Sequence, residues 1–322
     1  MTGTAGLPQP PPAGETALRP GTFDGVCVLV TGGGTGLGRA IAAEFARLGA
    51  RLVIASRKDE HLEAGRQALD ALGADVVAVR CDIREPDQIA AAFDAAAEAF
   101  GLPGVLVNNA AANFPVPAED MSPNAWRTVV DITLNGTFFC AREFGRRHLA
   151  AGTPGSIVNI AASYAWTGGP GFAHSAAAKA GVKNLTESLA VEGGPYGIQV
   201  NALVPGLFPH EDMTTDVQGN LDRGGALDGR QPALRVGQRQ ELGWAATFLA
   251  SPYGRFISGH TLVVDGANWQ RRSLTNPTVV PVRDQMGRGP FSALGEAASP
   301  PPTAPSRPRG QGSGDAPAPD DR

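Results

Sequence analysis

The chain has 322 residues, 42% of them hydrophobic and 18% charged, with a formal net charge of −4 and an isoelectric point near 5.8. That balance argues against a nucleic-acid or membrane-surface binder, since both partners demand clustered cations, and it leaves a small-molecule ligand as the expectation. No apolar run approaches the roughly 20 residues that cross a bilayer, and the first residues lack a basic start followed by an apolar stretch, so a cytoplasmic protein is expected.

In chain order, residues 1–20 hold Pro8-Gln9-Pro10-Pro11-Pro12 and little that could be buried, which predicts a disordered segment. Residues 21–280 then alternate short apolar strands with alanine-rich helical stretches, the pattern of βαβ units. Strands are predicted at 26–31, 51–55, 75–80, 105–108, 156–160, 199–204 and 261–264. Helices are predicted near 37–48, 59–72, 85–100, 122–150, 174–192 and 240–250. Right-handed crossovers would wind these into one α/β domain, a doubly wound parallel sheet of seven strands with the Rossmann fold. The stretch 206–237 has no clear period and follows a strand's C-terminal end, where ligands bind in such sheets, so it is expected to be a substrate lid. Residues 281–322 are Pro- and Gly-rich and expected to be mostly disordered; the Pro302 to Pro305 spacing is at most a docking peptide.

Thr31-Gly32-Gly33-Gly34-Thr35-Gly36-Leu37-Gly38 lies between the first strand and the first helix. Glycines there allow a tight turn and a close approach of backbone to a pyrophosphate, and the helix start offers unpaired N–H groups. The candidate nucleotide contacts in this loop are Thr31, Gly32, Gly34, Thr35, Gly36, Leu37 and Gly38. The second strand ends in Ala55-Ser56-Arg57-Lys58, where an NAD site would place an acid for the ribose 2′-hydroxyl. Two cations and a hydroxyl suit a 2′-phosphate instead, so Ser56, Arg57 and Lys58 point to NADPH. The competing reading is an exposed basic turn. Cys27, Cys81 and Cys140 sit in apolar segments and read as buried structural thiols. The five histidines, 61, 148, 174, 210 and 260, show no metal-ligand spacing, and no metal is expected.

Further along come Asp82, Asn108-Asn109-Ala110-Ala111, Asp131-Ile132-Thr133-Leu134-Asn135-Gly136, Lys179 and Val204-Pro205-Gly206. With the glycine loop, these resemble the short-chain dehydrogenase/reductase family over roughly residues 24–268. The resemblance implies that Cys81, Asp82, Asn109, Ala110, Lys179, Pro205 and Gly206 also contact the cofactor. In that family a tyrosine four residues before the lysine shares its helix face and donates a proton; here that position is Ser175. The family's catalytic serine, thirteen residues earlier, corresponds to Ala162.

Within the family the chain is similar to the 2,4-dienoyl-CoA reductases. It shares their Asn-Asn-Ala-Ala-x-Asn-Phe stretch at Asn108 to Phe114, their Ser-Pro-Asn-Ala-Trp at Ser122 to Trp126, and a tyrosine, Tyr164, fifteen residues before the lysine. That likeness implies catalysis by Tyr164 and Asn113, with Lys179 holding the nicotinamide ribose, Ser175 nearby, and Asn135 completing the catalytic set. It implies an acyl-CoA substrate and NADPH as cofactor, and the family at large implies a homotetramer built on the two long helices. Plainer readings stay open: Tyr164 as a half-buried loop aromatic, Asn113 as a turn residue, Ser175 as a helix cap. A carbonyl reductase using Tyr164 or Ser175, and a non-catalytic NADP(H)-binding protein, are the alternative functions.

Overall fold

Runs of Val, Leu and Ile form the strands of a parallel sheet, buried on both faces in its five inner strands and partly buried in the two outermost, at 76–80 and 261–264. The computed structural model describes residues 6–210, 213, 231–270 and 283. Its strands are β1 (Cys27–Thr31), β2 (Arg51–Ser56), β3 (Val76–Arg80), β4 (Val105–Asn108), β5 (Gly155–Ile160), β6 (Ile198–Pro205) and β7 (Thr261–Val264). The helices are α1 (Gly36–Arg47), α2 (Asp59–Asp70), α3 (Pro86–Phe100), α4 (Pro123–Val130), α5 (Gly136–Ala151), α6 (Tyr164–Thr167), α7 (Ala173–Gly193) and α8 (Arg239–Ala250). The strands form one seven-stranded parallel sheet in the order β3-β2-β1-β4-β5-β6-β7. This is the expected doubly wound Rossmann architecture, and the strand bounds fall within a residue of expectation.

Strand alternation divides the core between two faces. Val28 and Val30 of β1 pack with Ile41 and Phe45 of α1, Leu62 and Leu69 of α2, and Leu242 and Leu249 of α8. Leu29, between them, packs with Phe93 of α3 and with Ile132 and Phe144 on the other face. The order in which successive strands are added reverses between β1 and β4, and the groove opens at the C-terminal ends of these parallel neighbours, where their connections part to opposite faces.

The expected single helix over 122–150 is broken once. Ser122 caps α4 by accepting from the Ala125 N–H at 3.1 Å, with Pro123 in the first turn. A π turn at Asp131–Asn135 then joins α4 to α5 without interrupting the helical path. The one-turn helix α6 was not expected, because four residues carry no readable period.

Residues 6–20, expected from composition to be disordered, run instead along α8 and the segment before it. The Leu7 N–H donates to the Ala233 carbonyl at 2.9 Å, and the Trp244 Nε1–H donates to the Glu15 carbonyl at 3.0 Å. The Arg235 guanidinium donates to the Pro8 carbonyl at 3.0 Å while pairing with Glu241 at 2.7 Å. Proline lowers the entropy lost on ordering, so a polar Pro-rich segment can be held by these hydrogen bonds with the packing of Leu18 against the core. The lid is described only at 206–210, 213 and 231–237, and the tail motif at Pro302 lies outside the described residues. Among the described residues no helix is long and apolar enough to cross a membrane.

A buried polar chain ties β4 and β5 to α7. The Asn108 amide donates to Asn159 Oδ1 at 2.9 Å, the Asn159 amide to Thr186 Oγ1 at 2.9 Å, and the Thr186 hydroxyl to the Val182 carbonyl at 2.8 Å. Asn159 and Thr186 are fully buried. Asn159→Ala strands a donor and an acceptor in the core, so it is expected to cost about 2–4 kcal/mol of stability, measured as a fall in the urea midpoint at unchanged slope.

Candidate active site

A cleft of about 600 Å³ lies at the C-terminal ends of β1, β4, β5 and β6. The glycine loop forms one wall. Thr35 precedes α1 in extended conformation and the first turn of α1 carries no acidic side chain, so its N–H groups face an anion unopposed. Gly32 has φ +64°, and a Cβ on Gly38 would meet the Gly32 carbonyl at 2.2 Å. The loop therefore closes on itself only with glycine at both places.

Most of the expected cofactor residues line this cleft: Gly32, Thr35, Gly36, Leu37, Gly38, Ser56, Arg57, Lys58, Cys81, Asp82, Asn109, Ala110, Lys179, Pro205 and Gly206. Thr31 and Gly34 do not. The Thr31 hydroxyl is buried beneath the loop, where it accepts the Asn109 and Ala110 N–H groups at 3.0 and 3.1 Å and fixes the turn after β4. Gly34 faces α2 instead: a Cβ there would meet the His61 carbonyl at 2.2 Å, and Gly65, one turn further along α2, packs against it as well. Both build the loop from behind.

At the outer end of β2, Arg57 stands 4.0 Å from Asp82 and remains half exposed, with Lys58 beside it. Asp82 is gripped by two guanidinium hydrogen bonds from Arg84, which hold its carboxyl below the usual range. Its charge is thus largely matched without Arg57, which leaves that guanidinium facing the cleft. These groups and the glycine loop suit a nicotinamide dinucleotide. Cys81 is buried, and burial pushes its thiol up to about 11 and that of Cys27 up to about 12. All three thiols are free, buried and structural, as expected.

The opposite wall holds Asn113, Ala162, Tyr164 and Lys179. Tyr164 opens α6 and reaches back to α7, its hydroxyl 3.0 Å from Ser175 Oγ. Phe172 stacks parallel to its ring at 6.5 Å. Burial raises the phenol above its ordinary pKa and the Ser175 contact offsets that in part, so the group remains a protonated donor. Ser175 is not a cap: α7 begins two residues earlier behind Phe172, and the serine hydroxyl is committed to Tyr164. Asn113 is exposed on the cleft wall, and its side-chain amide has no hydrogen-bond partner among the described residues. Asn135 is not brought to the cleft wall; its amide donates to Asp131 Oδ1 at 2.8 Å inside the π turn.

Lys179, one turn beyond Ser175 on α7, is buried and donates to the Ile160 carbonyl at the end of β5. Ile160 lines the cleft unanticipated, as do His61, Ile83, Ile132, Ala161 and His210. Apolar residues at strand ends carry no chemical signal in a sequence, and only the course of the chain reveals them.

Residues 32–267 match the family model described as Enoyl-(Acyl carrier protein) reductase. A probable 2,4-dienoyl-CoA reductase of Bacillus subtilis is 37% identical over 253 residues, covering 75% of this chain and 96% of the relative. A probable 2,4-dienoyl-CoA reductase of Caenorhabditis elegans is 41% identical over 257 residues, covering 77% and 82%. The crystal structure of a short chain dehydrogenase from Bacillus anthracis superposes with a TM-score of 0.69 at 39% identity, covering 76% of this chain and 96% of that one.

Burial lowers the Lys179 ammonium from 10.5 to about 8. Between these values the unfolded chain holds a proton that the native one has released, so native stability rises with pH across that window and the gain is absent below it. For this group the rise is on the order of 3 kcal/mol. Cys27, Cys81 and Cys140, each raised by burial, withdraw native stability over the same window, so the Lys179 increment is read as a difference: from about pH 7 to about pH 10 the urea stability of the nucleotide-free parent chain should change more favourably than that of Lys179→Met by that amount.

The fold, the glycine loop, the lysine on α7 and these matches together show that the chain belongs to the short-chain dehydrogenase/reductase family, on the branch of the 2,4-dienoyl-CoA reductases, and is an oxidoreductase.

Proposed function

We propose that the chain reduces 2,4-dienoyl-CoA thioesters with NADPH by conjugate hydride transfer through a dienolate, as in the degradation of unsaturated fatty acids. The observation that carries this reading is the pairing of Tyr164 with Ser175 at 3.0 Å: the phenol enters from α6, and a serine stands at the helix position where the family's proton donor belongs. The relatives named 2,4-dienoyl-CoA reductase support it.

When bound in the cleft, NADPH would supply a hydride to the far end of the conjugated system. Negative charge then gathers on the thioester oxygen, and no proton need reach that atom. The need is for an oxyanion hole, which the Tyr164 hydroxyl and the Asn113 amide would furnish, each worth a few kcal/mol in the transition state. A phenol raised by burial serves this role well, because it donates without ionising. Water protonates the dienolate at carbon, giving the enoyl thioester. Lys179, anchored on Ile160, holds the nicotinamide ribose and so the geometry of transfer. Ser56, Arg57 and Lys58 take the 2′-phosphate. Arg235 is committed to Glu241 and leaves the CoA phosphates to other groups. The homotetramer on the two long helices belongs to the same proposal.

Absorbance assays with purified protein, NADPH and a panel of dienoyl, enoyl and ketoacyl thioesters and simple ketones test the reading. Dienoyl thioesters are expected to be the turned-over class; oxidation of NADPH by ketones alone overturns it. Tyr164→Phe should lose about a hundredfold or more in turnover, with Ser175→Ala milder. A silent Tyr164→Phe beside an inactive Ser175→Ala would sink the oxyanion assignment. Separately, Arg57→Ala should weaken NADPH far more than NADH, and equal losses by fluorescence titration refute the 2′-phosphate contact.

A further inference from the structure

His174 is fully buried at the start of α7, yet its Nε2 has no hydrogen-bond partner among the described residues. Its Nδ1 accepts the backbone N–H of Ser175 at 2.8 Å. That bond requires a lone pair on Nδ1 and so places the ring proton on Nε2, the atom without a partner. The ring meets Phe114 edge to face, centroids 4.7 Å apart at 86°. Phe114 adjoins Asn113, and Ser175 is the residue that holds the Tyr164 hydroxyl. One buried ring thus touches the neighbours of both oxyanion donors.

Filling the space behind Phe114 does not require an imidazole. A phenylalanine would fill the same space with no orphaned N–H. What the imidazole adds is an acceptor for a first-turn N–H, a group helices leave unsatisfied and α7 has no side-chain cap to satisfy. Fixing the Ser175 N–H fixes the direction of its Cβ, and with it the hydroxyl that holds Tyr164. The segments on either side are already laced together, since the Val116 N–H donates to the Gly171 carbonyl at 2.8 Å. The imidazole completes that clamp from the inside.

We infer that His174 is a positioning residue: through its Nδ1 bond to Ser175 and its ring contact with Phe114, it sets the separation of the Tyr164 and Asn113 donors. The inference rests on the oxyanion reading proposed above. It adds a residue that contacts neither substrate nor cofactor.

Two substitutions divide the role. His174→Phe keeps a ring against Phe114 and removes the acceptor; His174→Asn keeps an oxygen near the Nδ1 position and gives up the ring. His174→Phe should lower kcat roughly tenfold, the scale of one lost hydrogen bond, with KM for thioester and NADPH within about threefold. His174→Asn should recover most of that loss. Combining His174→Phe with Ser175→Ala should cost little more than either alone, because both act through the same hydroxyl.

Unchanged kcat in His174→Phe, full multiplication of the two losses, or a fall in thermal midpoint with kcat per folded molecule intact would each overturn the inference. Should His174→Phe fail to accumulate, His174→Asn against Ser175→Ala decides: retention of most of the turnover supports the role, and a loss as deep as that of Ser175→Ala overturns it. The substrate panel on the parent enzyme judges the dienoyl reading by itself. The variant comparison is made on whichever substrate the parent reduces, so the two failures are told apart.

Discussion

The bond from the Lys179 ammonium to the Ile160 carbonyl is the point about which this site is organised. A parallel sheet covered on both faces leaves its strand ends as the place where polar chemistry can emerge. Lys179 reaches that edge from α7, and its hydrogen bond converts a costly buried charge into a fixed point between helix and sheet. The floor of the cleft is therefore set before any ligand arrives: α7 can neither slide nor rotate without stranding a cation. Ser175, one turn earlier on the same face, inherits that precision.

The aromatic hydroxyl then comes from elsewhere. With serine on the α7 face, the space that a tyrosine ring would occupy is open to Tyr164, which enters on a one-turn helix and is stacked against Phe172. A donor held from outside the helix is aimed differently from one growing out of it. In the proposed reaction, this change in aim, rather than any change in fold, would separate stabilising an enolate oxygen from protonating an alkoxide.

Much of this could be read from the chain alone. Apolar runs buried on both faces, punctuated by glycine, announced the seven strands, and the glycine loop with Arg57 and Lys58 located the cleft. Where reading failed, the cause was structural context. Thr31 and Gly34 sit in a motif assigned to the ligand at every place but Gly33, yet a hydroxyl beneath the loop and a glycine facing α2 are indistinguishable in sequence from ones above it. The π turn at Asp131–Asn135 leaves no periodic trace over five residues, so Asn135 was expected nearer the cleft than its bond to Asp131 allows. The Pro-rich N-terminal segment looked too polar to be placed, because composition measures what a segment can bury and not which carbonyls a neighbouring Arg235 or Trp244 can reach. His174 offered no signal, since a single core histidine resembles any other until its neighbours in space are known.

The three buried cysteines have a practical corollary. With Cys27 and Cys81 both held far above neutral pH and Cys140 raised further still by complete burial, the native chain presents no reactive thiolate. A single cysteine engineered onto the exterior would then be the sole target for a maleimide dye. Distance and rotation reporters could be mounted on α6 or α8 in the natural background, with no prior removal of native sulfur.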